Sequence, residues 1–456
     1  VSNRSAHSAT TTTGGARVAT PTSGAAGAVA LAGPARSGRV GPVIPRRLAR
    51  FDALVATALV WFLGKFLRYA FPPLFETIGG TYGVSRTVLG SAFTALMLVY
   101  ALMQFPSGLL ADRIGSVRVI TAGGLVTAGG AFALAVDAPF AVLVGAMALI
   151  GAGTGTYKTV GVSLLARAYP RGTGRALGVF DTFGTFGGAA APAAVVLASA
   201  APGVLGAPWR TLFLAAGVVG VGLAAAFARV IPRRLGNDAT GARASESTPN
   251  GEEGEGEASA SLRVYLSLFG DPRFTLFVAV TVCFAFAYNG AVAFLPLYLT
   301  EETAVSSATA NLLFSALFLV SLVQLVTGEA SDRVGVEPVL ALTLAVATAG
   351  MVAVLAFSGT GGPLVLGGAV VLLGLGAHGS RPLRGAYMMD IAPESVAGGS
   401  LGVVRTLLMV AGAVSPALVG FLSETAGFTV AFQLLAAALV AATALTLALW
   451  ATGQRS

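Results

Sequence analysis

Six basic side chains lie inside long apolar runs of this chain. Lys65 and Arg68 fall within run 52–76, Lys158 within 140–168, Arg381 and Arg384 within 363–391, and Arg405 within 398–422. The chain has only two lysines, and both belong to this set. A charge at the centre of a membrane-spanning helix costs at least ~2.5–3.5 kcal/mol unless it meets a partner or a wet cavity. Arginine grips carboxylate or phosphate through paired N–H donors, and lysine adds a point charge. Cations gathered near mid-membrane therefore favour an anionic ligand.

Spacing orders these groups. Lys65 and Arg68 are three residues apart, on one face of a helix, and His378, Arg381 and Arg384 step by three in the same way. Lys158 precedes Pro170 by 12 residues and Arg381 precedes Pro393 by 12, so the two sit at matching depth. Asp181 follows Pro170 by 11 residues and is placed to pair with Lys158, while Arg405 follows Pro393 by 12 and sets a second cation beside Arg381. Asp181 is the one carboxylate at that depth. Tyr288 and Asn289 stand where the first half has Arg68 and add hydrogen-bonding groups. His378 and the Lys158–Asp181 pair are candidates for coupling or gating.

The elements that must hold these groups are apolar runs at 52–76, 87–111, 116–136, 140–168, 174–200, 210–231, 272–299, 307–330, 337–357, 363–391, 398–422 and 428–451. Most are roughly 20–28 residues, long enough to cross a bilayer as helices. The composition agrees, with 55% hydrophobic and 11% charged residues among 456. A soluble chain would carry about 25% charged residues. The expected fold is an all-α integral membrane protein of twelve transmembrane helices in two pseudo-symmetric six-helix bundles. The bundles cover 51–231 and 272–452, joined by a polar, acidic cytoplasmic loop at 232–271. Residues 1–50 and 453–456 read as cytoplasmic tails.

Duplication is written into one motif. QFPSGLLADRIG at 104–115 and QLVTGEASDRVG at 324–335 share five residues at an offset of 220: Gln104/Gln324, Gly108/Gly328, Asp112/Asp332, Arg113/Arg333 and Gly115/Gly335. Arginine sets orientation. Sixteen arginines, among them Arg46, Arg113, Arg118, Arg171, Arg229 and Arg333, fall on the side of the termini, against Arg86 and Arg210 on the other. The termini are thus expected in the cytoplasm of a cell-membrane protein.

The twelve runs, the long central loop, the two G-x-x-x-D-R-x-G turns and the segment ARAYPRGTGRALG at 166–178 together resemble the major facilitator superfamily over about 50–452. The resemblance implies secondary transport by alternating access, with two bundles rocking around a midplane site. It also implies a gating role for Gly108, Asp112, Arg113, Gly115 and Arg118 in the first copy and for Gly328, Asp332, Arg333 and Gly335 in the second. The glycines would let helices approach closely. Each aspartate would face the start of a helix in the other half, near Ala397, Gly398 and Gly399 or near Gly172, Thr173 and Gly174.

The substrate site is then expected from Lys65, Arg68, Lys158, Arg381, Arg384, Arg405, Tyr288 and Asn289. The ligand would be a small organic or inorganic anion, with a proton or sodium as coupling ion, and the protein would work as a monomer. The alternative is proton-coupled efflux of hydrophobic compounds. The glycine- and proline-bearing stretches GTFGGAAAP at 184–192 and GAVSPALVG at 412–420 suit bending helices, but the Gly-Pro pair of the family's drug antiporters is missing. Nothing points to nucleic acid, since the basic residues sit in short turns. One cysteine and two histidines leave no metal or cofactor set, and an intramembrane enzyme is not expected.

Overall fold

The structure is a computed structural model that describes residues 51–203, 205–235, 268–391 and 397–453. The tails and nearly all of the central loop lie outside the described residues. Among the described residues, twelve helices are long and apolar enough to cross a membrane: α1 (Asp52–Tyr82), α2 (Arg86–Ile114), α3 (Ser116–Ala135), α4 (Phe140–Ala168), α5 (Thr173–Ser199), α6 (Pro208–Arg233), α7 (Pro272–Glu302), α8 (Ser307–Val334), α9 (Val336–Ala356), α10 (Pro363–Met388), α11 (Arg405–Thr425) and α12 (Phe428–Thr452). Helical backbone continues beyond four of these spans, to Leu235 after α6, to Ile391 after α10, back to Ala397 before α11 and to Gly453 after α12.

Starts and stops follow local chemistry. The Ser85 hydroxyl caps α2 by accepting the Val88 amide, and the Ser306 hydroxyl caps α8 by accepting that of Thr309. Asp271 caps α7, with Pro272 at its first position. The first span runs further than its apolar pattern suggests, reaching Tyr82 instead of residue 76. Pro72 and Pro73, which lack amide donors, turn it through a short 3-10 segment at Pro72–Leu74, and the helix resumes at Phe75. α8 is broken in its middle by a 3-10 turn at Val320–Leu322.

The duplication holds in three dimensions. α3 and α9 start 220 residues apart, as do α6 and α12. Within the first half α1 packs on α5 and α6, α2 on α4, and α3 on α4 and α6. Within the second, α7 packs on α11 and α12, α8 on α10, and α9 on α10 and α12. Across the halves the two main contacts, α2 with α11 and α8 with α5, are likewise equivalent. The DRxG turns explain their terminal glycine. Gly115 has φ 92° and Gly335 φ 95°, conformations that side chains with a Cβ rarely adopt. Each reverses the chain between two helices with no loop residue to spare.

Among the described residues, a layer of polar and aromatic contacts closes the halves at one end of the bundle. On the face away from the DRxG turns, Arg86 pairs with Glu301 and donates to the Ser423 carbonyl at 3.1 Å, with its guanidinium 4.6 Å from the Phe428 ring. Glu424 accepts from the Arg86 amide at 2.7 Å and from the Thr87 hydroxyl, and Ser307 donates to Glu76 at 2.7 Å. Beneath this polar layer lies an aromatic seal in which Phe75 and Phe294 are 5.2 Å apart and Tyr298 stacks on Phe432 at 4.0 Å. Gly90 brings α2 against the Pro416 carbonyl of α11, where a Cβ would clash.

On the opposite face, among the described residues, Asp112 and Asp332 are exposed and form no ion pair. Among the described residues, no close approach occurs at the motif glycines. A Cβ on Gly108 would meet only a Thr159 methyl at 3.7 Å, and one on Gly328, Gly172 or Gly174 would meet nothing within 4 Å. The start of α5, the expected partner of Asp332, has no side-chain cap at Gly172, and the side chains at 397–399, expected near Asp112, lie outside the described residues.

Candidate functional site

Between the halves lies a cavity of about 580 Å³. Its wall brings together Lys65, Arg68, Lys158, Asp181, Tyr288, Asn289, Arg381, Arg384 and Arg405, so every side chain expected at the substrate site reaches one space. The helices divide them evenly. α1 and α4 bring Lys65, Arg68 and Lys158 from the first half, while α10 and α11 bring Arg381, Arg384 and Arg405 from the second.

The cations rest mainly on aromatic faces. Lys65 Nζ lies 4.9 Å from the Tyr69 ring and 5.5 Å from the Trp61 ring, and donates to the Tyr69 hydroxyl at 3.4 Å. The Arg68 guanidinium stacks 3.7 Å from the Tyr100 ring, with Nε donating to the Gly64 carbonyl at 3.3 Å. Arg68 is 4% exposed, yet its Nη2 has no protein partner. Arg384 lies 4.1 Å from the Phe284 ring, and its buried Nε and Nη1 also lack partners. A cation over a ring gains ~0.5–2 kcal/mol. That offsets part of its desolvation and leaves these buried N–H donors without a protein acceptor.

The expected Lys158–Asp181 ion pair is made, with Lys158 Nζ also 5.3 Å from the Phe180 ring. Its two side chains are 22% and 52% exposed, so water in the cavity reaches both. Arg381 donates to the Tyr288 hydroxyl at 3.1 Å and lies within electrostatic reach of Lys65 across the cavity. Asn289 turns back to its own helix, donating to the Ala285 carbonyl at 2.8 Å.

Two expectations need correcting. Arg381 and Arg405 both line the cavity, but neither guanidinium is without a protein partner. Arg405 is exposed and reaches across the halves, donating to Gln104 Oε1 at 2.8 Å, while the charged neighbours of Arg381 include Lys65 and Arg384. His378 shares its helix face with Arg381 and Arg384 but does not reach the cavity. It is 0% exposed, with its ring 6.0 Å from Tyr288 and 5.9 Å from Phe318 and the Leu317 backbone alongside. Tyr288 stands between His378 and the space where a ligand would sit.

Sequence reasoning passed over the aromatic floor of the site, formed by Trp61, Tyr69, Tyr100 and Phe284. A signal was there. Trp61 and Tyr69 flank Lys65 at four residues on either side, which is one helix face. Gln324, the counterpart of Gln104, lines the cavity as well. The motif arginines lie outside it. Arg333 pairs with Glu329 one turn earlier in α8, Arg118 donates to the Ile114 carbonyl at 3.4 Å, and Arg113 is exposed.

Known proteins share this fold. Solved structures similar to the chain include a bacterial homologue of the human lysosomal transporter Spinster, in an inward-facing and unoccupied conformation (TM-score 0.67, 17% identity, 88% of this chain and 95% of that one). Another is the peptide transporter POT in complex with sulfate (TM-score 0.69, 18% identity, 89% and 94%). A third is a POT family transporter in complex with 5-aminolevulinic acid (TM-score 0.68, 13% identity, 87% and 95%). No curated protein matches the sequence at a significant level. The family model of the Major Facilitator Superfamily matches residues 53–303 and 279–455. Twelve helices in two equivalent halves, closed on one face around a central cavity, are thus joined to a sequence match along nearly all of the described chain, and the protein belongs to the Major Facilitator Superfamily of secondary transporters, which work by alternating access.

Proposed function

We propose that the chain carries a small organic or inorganic anion across the cell membrane, driven by a proton or sodium gradient and acting as a monomer. The observation that supports this reading is the charge of the cavity wall, where six cations from both halves face one carboxylate, Asp181. Asp181 is engaged by Lys158, so the remaining five have no carboxylate in the wall to neutralise them. Water can serve them while the cavity is open. Alternating access must at some stage enclose the site, and enclosed charges need partners. An anion supplies them, and because the cations come from both halves it also draws the halves together. Binding energy is thereby turned into the closing motion.

The arginine-rich ends lie on the open face, so with termini in the cytoplasm this conformation is inward-open. Asp181 is the group through which a coupling ion would act, since protonation or a bound sodium there would loosen its hold on Lys158. His378, behind Tyr288, would act only through that ring. The test is flux in proteoliposomes. Labelled carboxylates, phosphate and nitrate are offered under imposed proton and sodium gradients. Gradient-dependent uptake of at least one anion is expected. Transport of amphiphilic cations or neutral hydrophobic compounds, with no anion moved, would refute the reading and favour hydrophobic efflux.

A further inference from the structure

The arrangement of the inner cations goes further than an unspecified anion. With Lys158 held by Asp181 and Arg405 at an exposed position on Gln104, four inner cations remain. They form two pairs, each one helical step apart: Lys65 with Arg68 on α1, and Arg381 with Arg384 on α10. Each half of the protein thus brings one doubly charged face. Each face includes a guanidinium stacked on a ring, with buried donors that no protein group accepts, namely Arg68 Nη2 and Arg384 Nε and Nη1.

We propose that the substrate is a dianion or polyanion whose two anionic groups engage the two pairs separately. This rests on the anion reading above and narrows it. A monoanion can satisfy one face, or sit between the two. Either way it leaves several like charges unneutralised when the cavity loses its water, and like charges enclosed together repel strongly at low dielectric. A compact metabolite with two carboxylates, or a carboxylate and a phosphate, neutralises one face with each end and bridges the halves. A cavity of about 580 Å³ has room for such a molecule. A rigid aromatic floor would hold each guanidinium in place, which suits recognition of fixed planar anionic groups over diffuse charge.

The experiment compares each dianion with its own monoanionic twin. Purified protein in lipid nanodiscs at pH 8 is titrated with linear dicarboxylates of two to six carbons, and with the matching half-amides, which keep the shape and remove one charge. Inorganic phosphate and nitrate are added as compact probes. At least one dicarboxylate is expected to bind roughly tenfold or more tightly than its half-amide, about 1.4 kcal/mol. Arg381→Gln should bring that ratio close to one, while Arg229→Gln, at an exposed position outside the cavity, should leave it intact. Half-amides or nitrate binding as tightly as any dicarboxylate would overturn the dianion inference and leave the anion reading standing. Binding by no anion of either series would remove both.

Discussion

Arg86 is the residue through which the closed face can be tested. Its side chain makes three contacts across the halves: the ion pair with Glu301, the bond to the Ser423 carbonyl at 3.1 Å, and the stacking on Phe428 at 4.6 Å. The paired side chains are 34% and 32% exposed, so the ion pair contributes only ~0.2–1 kcal/mol. The bond to a carbonyl adds about 1 kcal/mol and the cation over the ring about 0.5–1 kcal/mol. Arg86→Ala removes all three and should cost the closed face about 2–3 kcal/mol, a shift of roughly 30- to 150-fold toward conformers open on that face. The Glu424 bond to the Arg86 amide survives the substitution. Spin labels at Thr81 and Thr425, in a background with Cys283 replaced by serine, report the separation of the halves there by pulsed electron resonance. Arg86→Ala should add a longer distance population that the parent lacks. An unchanged distribution in a folded, monodisperse protein would mean that the Arg86 side chain contributes nothing to the equilibrium and that the other polar contacts and the aromatic seal hold the face.

Other consequences are specific. Lys158→Gln leaves the Asp181 carboxylate without its partner, so it should lower thermal stability and transport more than Lys158→Gln combined with Asp181→Asn. Both side chains are wet, so the gap should be about 1 kcal/mol, well short of a fully buried pair; a double variant worse than the single would reverse this ordering. Among the described residues Asp112 is exposed and forms no ion pair. Asp112→Asn should therefore leave the stability of the open form unchanged and disfavour closure of the DRxG face by about 0.3–1 kcal/mol. Cysteine labelling from that side should speed up, and unchanged labelling with normal transport would reduce Asp112 to a topology signal.

The twelve spans and the duplication are legible in the sequence because lipid demands long uninterrupted apolar runs and tolerates charges only where they serve a purpose. Depth is legible as well. Counting from Pro170 places Lys158 beside Asp181, and the ion pair is there. Rotation about the helix axis is less readable. His378 shares its face with Arg381, but Tyr288 and Phe318 from neighbouring helices cover it, a tertiary fact that spacing on one helix does not contain. The partner of Arg405 lies on α2, 301 residues earlier in the chain. The motif glycines show a third limit. A sequence describes every state of an alternating-access cycle at once, and contacts that belong to one face in its closed state are missing where that face is open.

The most direct measurement is anion affinity in wild type, Arg381→Gln and Arg381→Lys, in matched lipid. Arg381 faces Lys65 across the cavity and its own half offers it a tyrosine hydroxyl, so a bound anion is its natural counter-charge. Losing a charge-assisted contact of this kind should cost about 1.5–3 kcal/mol, which weakens Arg381→Gln roughly 10- to 150-fold. Arg381→Lys keeps the charge but loses the planar fork, and should recover only part of that loss. Wild-type anion affinity in well-folded Arg381→Gln would contradict an anion site at this cavity.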